Sequence, residues 1–387
     1  MNFTQPDRLR VLPPYLFVEI DRKKKEAIAS GVDVIDLGVG DPDLPTPAPI
    51  LQALKQAADD PANHVYPFGR GSKAFLQAVS RWFERRFNGG LDAGSEIVCL
   101  IGSKEGIGHA PLALVNPGDV VLIPEPGYPA YLAGTVFAGA EPVFLPLLAK
   151  NGYKPDLKNL PVDVLRRAKV LFLNYPNNPT GACVDLAYFE EVVAWCRRHE
   201  IILAHDMAYS ELYYGSTPPP SVLQVKGAKE VAIEFHSFSK TFSMTGWRLG
   251  FAAGRKELVD SLALLKGNLD SGTVSAVQVA GIAALDAAET LVPPIVQVYR
   301  TRRDLFVKGL QQAGFAATAP EAALYVWCPV PAGMNSTTFA TRLLEEAHVV
   351  ATPGMGFGPS GEGFVRFSLT SPEARLAEAV RRMQAIR

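Results

Sequence analysis

The chain has 387 residues, which is long enough for two domains or for one large domain with an appendage. Hydrophobic residues make up 48% of it and charged residues 20%, a balance typical of packed globular proteins and not of disordered ones. The formal net charge of −1 excludes an overall positive field that would attract nucleic acid or an anionic membrane, so any bound anion must be held by local groups.

Targeting and metal-binding signals are weak throughout the sequence. No apolar run reaches the roughly 18 residues that cross a bilayer, and the N-terminus shows no convincing signal-peptide cleavage site. The four cysteines are widely scattered, and the six histidines form neither an HExxH motif nor a close pair. We therefore expect a cytoplasmic protein with reduced cysteines and without a metal site.

The N-terminal segment, residues 1–45, is rich in proline and in turn-forming residues, and the stretch DLGVGDPDLPTP at its end predicts an irregular loop. Two helical segments follow, at residues 49–59 and 72–87, and the second has apolar residues at helical spacing. We expect residues 1–45 to pack with a smaller C-terminal domain.

From about residue 96 the sequence alternates between short apolar runs and helical segments. Near-continuous apolar runs separated by helices predict a mostly parallel β-sheet that is covered by helices on both faces. Ligands of such sheets bind beyond the carboxyl ends of the strands. We assign residues 46–290 to this large α/β domain. The runs lie at residues 97–101, 120–124, 142–147, 169–175, 201–206, 231–237 and 248–254.

After about residue 290 the pattern changes again. A long amphipathic helix at residues 292–314 leads to two predicted strands, LYVWCPV and GFVRFSLT, and to a last helix, which together predict a smaller α+β domain over residues 291–387. The stretch GFGPSG (356–361) matches GxGxxG formally. It contains a proline and precedes a strand, whereas a dinucleotide-binding fingerprint opens a helix, so we interpret it as a loop.

Polar residues lie at or just beyond the ends of several predicted strands. Taken alone, each has a common structural explanation: a lysine after a strand is usually solvated, NPTG is usually a turn, and an aspartate there can cap a helix. Together, in this order, they meet the requirements of one chemistry. The segments are NYPNNPTG (174–181), HDMAYSEL (205–212), HSFSKTFSMTGWRLG (236–250) and FVRFSLT (364–370).

With these segments and with LGVGDPDLPTP, YPFGRG, IGSKEG and PEPGYPAY, the chain resembles the class I/II aminotransferases over essentially its whole length. These are the fold-type I enzymes that use pyridoxal 5'-phosphate. The stretches PPYLFVEIDRKKKEAI and EFHSFSKTFSMTGWRLGFA are most similar to the bacterial LL-diaminopimelate aminotransferases. The resemblance implies a homodimer that transfers an amino group from an L-amino acid to a 2-oxo acid, with LL-2,6-diaminopimelate and 2-oxoglutarate as the leading pair, in lysine biosynthesis.

The resemblance also implies roles for the residues that would surround the cofactor ring. Lys240 would bind the cofactor covalently and then act as the general base of the proton transfer. Asp206, which ends the apolar run IILAHD, would favour a protonated pyridine nitrogen and so make the ring a better electron sink. Asn178 and Tyr209 would donate hydrogen bonds to the phenolic oxygen, and Tyr128 would stack on the ring.

The phosphate group needs a local cradle, because the protein offers no positive field of its own. Ser103 and Lys104 lie at a predicted strand-to-helix junction, where backbone N–H groups point at an anion. Ser237, Ser239 and Arg248, which flank the reactive lysine, would add two hydroxyl groups and a guanidinium.

The substrate is expected to contact both domains. Arg366, in the strand FVRFSLT, is the implied clamp for the α-carboxylate, because the planar guanidinium suits bidentate recognition of a carboxylate. Gly40 would let the substrate approach the backbone closely. Tyr128 and Asn178 are expected to border the substrate as well as the cofactor.

Three further residues carry expectations that depend on the resemblance alone. Tyr66, in the loop YPFGRG, would reach the phosphate in the partner subunit, which implies an obligate dimer. Tyr15 and Lys104 are implied substrate contacts. Plant-type diaminopimelate aminotransferases have a glutamate in the loop that here reads PFGRG, with Gly69 and Arg70, so recognition of the far end of the substrate stays open.

Two alternatives to the leading function stay open. A broad alanine, aspartate or aromatic aminotransferase would share every residue named above. A β-lyase or synthase would share the Lys240–Asp206–Arg248 core, because the protein decides which bond of the cofactor-bound substrate breaks. A regulator that senses the cofactor would need a DNA-binding module, and no basic module or helix-turn-helix precedes residue 45.

Overall fold

The computed structural model describes residues 3–12 and 17–386, with no side chains described for residues 17–20. Within these ranges the chain forms helices and strands in alternation. The helices are α1 (Asp7–Arg10), α2 (Phe17–Ala29), α3 (Ala48–Ala58), α4 (Lys73–Phe87), α5 (Ser103–Leu114), α6 (Pro129–Phe137), α7 (Val162–Arg167), α8 (Leu186–His199), α9 (Phe238–Thr241), α10 (Lys256–Leu269), α11 (Ser275–Asp286), α12 (Ala288–Gln312), α13 (Ser336–Ala347) and α14 (Glu373–Met383).

The strands are β1 (Ile35–Asp36), β2 (Ile97–Leu100), β3 (Val120–Glu125), β4 (Glu141–Pro146), β5 (Ala168–Asn174), β6 (Ile202–Asp206), β7 (Ala232–Ser237), β8 (Gly250–Gly254), β9 (Tyr325–Pro329), β10 (Val349–Val350), β11 (Thr352–Pro353) and β12 (Phe364–Ser368). Short 3₁₀ turns lie at Pro61–Asn63, Ala149–Asn151, Val222–Gln224, Ala228–Glu230, Thr245–Trp247, Gly354–Phe357 and Pro359–Gly361.

The seven predicted apolar runs form one sheet of the large domain, with small shifts at the strand ends. Its strand order is β2-β8-β7-β6-β5-β3-β4, and β8 alone runs antiparallel to its two neighbours. The expectation of a mostly parallel mixed sheet is confirmed. All six residues of the inner strand β3 are buried, whereas β4 lies at the edge and leaves Phe144 43% exposed.

Apolar side chains fill both faces of this sheet because neighbouring residues of a strand point to opposite sides. On one face α4, α8 and α11 contribute to a core that includes Phe75, Phe83 and Phe189. On the other face α5, α6 and α10 contribute to a core around Ile107 and Tyr131. The fold class is therefore α/β, as predicted.

A third core lies in the C-terminal part of the chain. The strands β11, β12 and β9 form an antiparallel sheet, and β10 pairs in parallel with β1 of the N-terminal segment. Ile35 and Leu37 belong to this core. The long helix α12 contributes Val292 to the core of the large domain and Phe306 to the C-terminal core. The domain limits at residues 45 and 290 stay predictions.

The structure differs from the sequence expectations mainly in the N-terminal segment, where α2 was not predicted. This helix carries i,i+4 ion pairs between Lys25 and Asp21 and between Arg22 and Glu26, which favour helix formation. The stretch after Asp36 lacks helix and strand, as expected. GFGPSG forms two 3₁₀ turns before β12, so its interpretation as a loop that opens no α-helix is confirmed.

No single helix in the described part of the chain is long and apolar enough to span a membrane. The consecutive helices α11 and α12 meet that criterion only as a pair, and they are bent by 82° with respect to each other.

Candidate active site

A cavity of about 650 Å³ lies at the carboxyl ends of β5, β6 and β7, where a ligand site is expected in a parallel sheet. The first turn of α5, the loop after β1 and strand β12 complete its walls. Twelve residues proposed from the sequence line it: Gly40, Ser103, Lys104, Tyr128, Asn178, Asp206, Tyr209, Ser237, Ser239, Lys240, Arg248 and Arg366. Of the two others, Tyr15 falls outside the described residues, and Tyr66 does not line this cavity.

Asp206 is the last residue of β6 and its carboxylate is buried in the cavity floor. Tyr131 donates to Oδ2 at 2.8 Å, and the backbone N–H of Ala208 donates to Oδ1 at 3.3 Å. Burial raises the pKa of the Asp206 carboxyl, and the hydrogen bond from Tyr131 offsets part of that effect. A buried carboxylate with spare acceptor capacity is suited to a cationic partner such as a protonated ring nitrogen.

Lys240 lies in α9, a short helix that begins directly after β7. Ser237 caps this helix and accepts a hydrogen bond from the backbone N–H of Ser239 at 3.2 Å. The Nζ of Lys240 donates to the carbonyl oxygen of Gly40 at 2.7 Å. The amine therefore points across the cavity to the loop after β1, between the groups of the large domain and those of the C-terminal domain.

The first turn of α5 forms a cradle for an anion. Gly102 precedes the helix with a φ of 74°, and no side chain of the described residues caps the N–H groups of the first turn. A Cβ atom on Gly102 would lie 2.5 Å from Nη2 of Arg248, so the glycine allows the guanidinium to lie against the start of this helix. Helix N–H groups, the helix dipole and a guanidinium together favour a phosphate group.

Arg366, on β12, is a buried cation held in one orientation. Its Nη1 donates to Oδ1 of Asn178 at 2.9 Å and its Nη2 to the carbonyl oxygen of Gly38 at 2.7 Å. The guanidinium carbon lies 4.1 Å from the ring centre of Tyr325 and 4.7 Å from that of Phe357.

Among the described residues the hydrogen-bond acceptors of Arg366 are an amide and a carbonyl oxygen and no carboxylate, although its side chain is almost fully buried, and its Nε has no hydrogen-bond partner there. A buried guanidinium without a counter-ion is costly unless a ligand supplies the negative charge. The arrangement therefore fits a carboxylate ligand.

Asn178 and Tyr209 face the cavity from the loop after β5 and the turn after β6. The amide oxygen of Asn178 accepts from Arg366, which leaves the Nδ2 end of the amide to donate to a ligand. Burial raises the pKa of Tyr209 well above its ordinary value, so its hydroxyl stays protonated and can act as a donor.

Tyr128 precedes α6 and lies edge-on to Tyr131, with ring centres 5.9 Å apart. The Nζ of Lys104 lies 5.9 Å from the ring centre of Tyr128, at the limit of a cation–π contact. Both residues line the cavity.

The loop that carries Tyr66 projects from the surface. Tyr66 is 71% exposed and stacks on Phe68, which is 74% exposed, with ring centres 5.3 Å apart. Arg70, by contrast, turns towards the protein, where it donates to the carbonyl oxygen of Ser95 and pairs with Asp260. Arg70 therefore supports the loop and does not border the cavity.

Several residues that contribute to the site were not predicted from the sequence. Tyr131 is the donor to Asp206, and Asn174 joins the carbonyl oxygen of Asp206 to the backbone N–H of Asn178. Tyr325 lies between Arg366 and Tyr209. Tyr131 occurs within the quoted motif PEPGYPAY, three residues after Tyr128, which was the one available signal.

One polar cluster outside the cavity has metal-compatible residue types, namely Glu105, His109 and Asp270. The ammonium group of the buried Lys266 lies 2.9 Å from Glu105 and 3.2 Å from Asp270. The lysine thus neutralises the carboxylates, and the cluster is explained as a structural ion-pair network.

The charged and polar groups of the cavity fit those of pyridoxal 5'-phosphate. The buried carboxylate of Asp206 suits the ring nitrogen, and the anion cradle at Gly102 and Arg248 suits the phosphate. Lys240 lies within the same cavity as both. These features also agree with the phosphate-binding and electron-sink requirements of the cofactor.

Comparisons with known proteins agree with this geometry. The sequence matches the family model of the class I and II aminotransferases over residues 32–383. An LL-diaminopimelate aminotransferase from Syntrophobacter fumaroxidans is 51% identical over 386 residues, and one from Aquifex aeolicus is 52% identical over 385 residues, each with 100% of both chains covered.

Among solved structures, substrate-bound BacF from Bacillus subtilis has a TM-score of 0.95 at 37% identity, covering 100% of this chain and 98% of that chain. Because the family match spans most of the sequence and the relatives match over their full length, the chain belongs to the class I and II aminotransferases, enzymes that depend on pyridoxal 5'-phosphate.

Proposed function

We propose that this aminotransferase acts at the cavity around Lys240 and uses LL-2,6-diaminopimelate and 2-oxoglutarate as its principal substrates, in lysine biosynthesis. The observation that carries the proposal is the buried Arg366 without a carboxylate partner among the described residues, in the same cavity as Lys240. The substrate assignment is supported by full-length relatives that are named LL-diaminopimelate aminotransferases and share about half of their residues with this chain.

The proposed roles follow from the placement of each group. Bound pyridoxal phosphate supplies an electron sink that acidifies the α-carbon of the amino acid. Arg366 binds the α-carboxylate through its two Nη atoms and so orients the α-hydrogen. The amine of Lys240 would accept the proton that leaves the α-carbon of the amino acid, a general-base role that typically contributes about 10²–10⁴ in rate.

The surrounding residues keep the cofactor in the required charge state. Asp206 would hold a proton on the ring nitrogen of the cofactor, while Asn178 and Tyr209 would donate hydrogen bonds to its phenolic oxygen. The N–H groups at Ser103 and the guanidinium of Arg248 hold the phosphate. Gly40 keeps the free amine of Lys240 in place through its carbonyl oxygen.

A charged wall of the cavity supports a substrate with charges at both ends. Asp21, Lys24 and Asp36 line it, and the Nζ of Lys24 lies 3.0 Å from each of the two carboxylates. Partial burial alone would lower the pKa of Lys24, but its hydrogen bonds to Asp21 and Asp36 raise it, so the lysine is charged at neutral pH. Diaminopimelate carries an ammonium and a carboxylate at its far end, and this wall offers a partner for each.

We also infer a cytoplasmic homodimer in which Tyr66 reaches the partner's site. Four apolar side chains near this loop are more than half exposed: Val65, Tyr66, Phe68 and Val274. The two loops that carry them adjoin, since a Cβ atom on Gly272 would lie 2.8 Å from the carbonyl oxygen of Pro67. An exposed apolar patch of this kind is typical of an interface.

A donor panel tests the substrate assignment. LL-diaminopimelate, meso-diaminopimelate, alanine, aspartate and tyrosine are each offered with 2-oxoglutarate, and glutamate formation is measured with the Lys240→Ala variant as the blank. We expect kcat/KM for LL-diaminopimelate to exceed the others by at least about tenfold, in line with the discrimination that a charged subsite provides. A higher value for aspartate or tyrosine would favour the broad aminotransferase, and release of ammonia without an oxo acid would favour a β-lyase.

The charged wall is tested by Lys24→Met, with Lys23→Met as the matched control. Lys23 lies on the same helix but pairs with Glu345 and does not line the cavity. We expect Lys24→Met to lower kcat/KM for LL-diaminopimelate about tenfold and for alanine much less. An equal loss for both donors would show that Lys24 does not recognise the far end of the substrate.

Mixed subunits test the dimer. Lys240→Ala and Tyr66→Ala are each expected to have little activity, and their mixture should regain part of it, because one site of the mixed dimer has both wild-type residues. Activity that stays at the sum of the two variants would refute the shared site.

A further inference from the structure

We propose that Tyr325 is a positioning residue that couples the binding of the substrate carboxylate to the hydrogen bond that Tyr209 donates. The inference rests on the proposed roles of Tyr209 and Arg366. Tyr325 is the first residue of β9 and is 3% exposed, and β9 pairs with β12, which carries Arg366. One side chain thus contacts groups from the small-domain sheet and from the end of the large sheet.

The hydroxyl of Tyr325 lies 2.9 Å from the hydroxyl of Tyr209, and the two rings meet edge to face with centres 5.7 Å apart. A tyrosine has a single hydroxyl hydrogen. If Tyr209 donates its hydrogen to the phenolic oxygen of the cofactor, it can only accept from Tyr325. The direction is then Tyr325 to Tyr209 to the phenolic oxygen, and each donor in such a chain strengthens the next.

The ring of Tyr325 supports Arg366. The guanidinium carbon lies 4.1 Å from the centre of this ring, within the range of a cation–π contact, and 4.7 Å from the ring centre of Phe357. The positive charge of Arg366 draws electrons away from the hydroxyl of Tyr325. This makes the hydroxyl a better hydrogen-bond donor. A carboxylate bound to Arg366 partly cancels that charge, so substrate binding changes the strength of the hydrogen bond to Tyr209.

The hydroxyl of Tyr325 also lies against the backbone of Gly40. A Cβ atom at Gly40 would lie 2.1 Å from the Oη of Tyr325, which no side chain could occupy. The carbonyl oxygen of Gly40 accepts from Lys240. Tyr325 therefore packs against the backbone that accepts the hydrogen bond from Lys240. Its position is fixed by its contacts with Arg366, with the Tyr209 hydroxyl and with this backbone.

The test separates the hydroxyl from the ring. Tyr325→Phe removes only the hydroxyl, and Tyr325→Leu also removes the ring under Arg366. Two quantities are measured on the holoenzyme: the midpoint of the pH-dependent absorbance change of the bound cofactor, and the dissociation constant of glutarate, a dicarboxylate that cannot react. Neither measurement depends on catalytic turnover.

Tyr325→Phe should move the absorbance midpoint to higher pH by about half a unit, because a weaker donor stabilises the anionic phenolic oxygen less. It should leave the glutarate dissociation constant within about twofold. Tyr325→Leu should raise that constant about threefold to tenfold, because Arg366 loses one of its two aromatic contacts.

Tyr214→Phe is the matched control. Tyr214 is buried in the same hydrophobic core and donates to the carbonyl oxygen of Ala323 at 2.6 Å, but it does not line the cavity. Loss of the Tyr214 hydroxyl should lower thermal stability but change neither the absorbance midpoint nor the glutarate dissociation constant. The inference is overturned if Tyr325→Phe keeps the wild-type midpoint, or if Tyr214→Phe moves it equally. A wild-type protein that binds no pyridoxal phosphate would instead overturn the proposed function, and the inference with it.

Discussion

Two buried carboxylates on neighbouring strands differ in how far the protein satisfies them. Glu234, on β7, accepts four hydrogen bonds, two at each oxygen: from His205 at 2.9 Å, His236 at 2.8 Å, Ser221 at 2.6 Å and the backbone N–H of Val222 at 2.9 Å. These bonds fill the acceptor capacity of a carboxylate. Glu234 does not line the catalytic cavity.

Asp206, on the adjacent strand β6, is buried to a similar degree but accepts from Tyr131 and, at a longer distance, from Ala208. Burial raises the pKa of Asp206. Burial would also raise the pKa of Glu234, but the hydrogen bonds from its two histidines outweigh this and lower it below the ordinary 4.5. The comparison indicates that a buried carboxylate whose acceptor sites are all filled by protein donors has a structural role. One that keeps free acceptor sites can bind a ligand.

Asp206→Asn should change the single-turnover rate more than any other substitution proposed below. The amide cannot hold a proton on the ring nitrogen, so we expect the single-turnover rate with the amino acid to fall about 10²–10³-fold, as for the loss of other preorganised electrostatic partners. The free energy of unfolding should change by less than about 1 kcal/mol, because a neutral isostere avoids the cost of the buried charge. A wild-type rate would remove the electron-sink role of this residue.

Glu234→Gln should show the opposite pattern. An amide offers one oxygen in place of two and directs its NH₂ group at donors, so several buried N–H and O–H groups lose their acceptor. We expect urea unfolding to show a loss of about 2–4 kcal/mol in the free energy of unfolding. The single-turnover rate of the folded enzyme should stay within a few-fold of wild type. A fall in the single-turnover rate as large as that of Asp206→Asn would contradict the assignment of different roles to the two carboxylates.

The stability difference between wild type and Glu234→Gln should depend on pH. A carboxyl whose pKa is lowered by folding contributes stability above its unfolded pKa, and this contribution is lost as the pH falls through its folded pKa. The wild-type advantage should therefore be complete above about pH 4.5 and shrink in more acidic solution. Urea unfolding at a series of pH values measures it, and a constant difference down to pH 3 would contradict the lowered pKa.

The strands were predictable because inner parallel strands are buried on both faces and so appear as continuous apolar runs. The helix α2 was not, because its i,i+4 ion pairs contribute only about 0.2–0.5 kcal/mol each and it is also stabilised by a distant ion pair, Lys23 with Glu345. No local pattern records such a partner. The same reason explains why the irregular loop after Asp36 was predicted correctly: its glycines and prolines act locally.

Twelve of the fourteen site residues named from the sequence line one cavity, but the roles of Tyr131 and Tyr325 could not be recognised from the sequence. Tyr131 is 75 residues from its partner Asp206, and Tyr325 is 116 residues from Tyr209. An aromatic residue on a helix or strand has the same pattern whether it fills a core or donates to a catalytic group. Only the folded chain distinguishes the two.

Tyr131→Phe is expected to have the smallest effect. It removes the side-chain donor to Asp206 and leaves the shape of the Asp206 carboxylate unchanged. A hydrogen bond to a charged group typically contributes about 1.5–3 kcal/mol, and part of that should appear in the rate, so we expect the single-turnover rate to fall about tenfold. Tyr175→Phe is the matched control, since Tyr175 is equally buried but donates to the carbonyl oxygen of Tyr153, outside the cavity. If the two variants lose stability alike and only Tyr131→Phe loses rate, the hydroxyl of Tyr131 acts through Asp206; equal rates would mean that Asp206 keeps its charge without this donor.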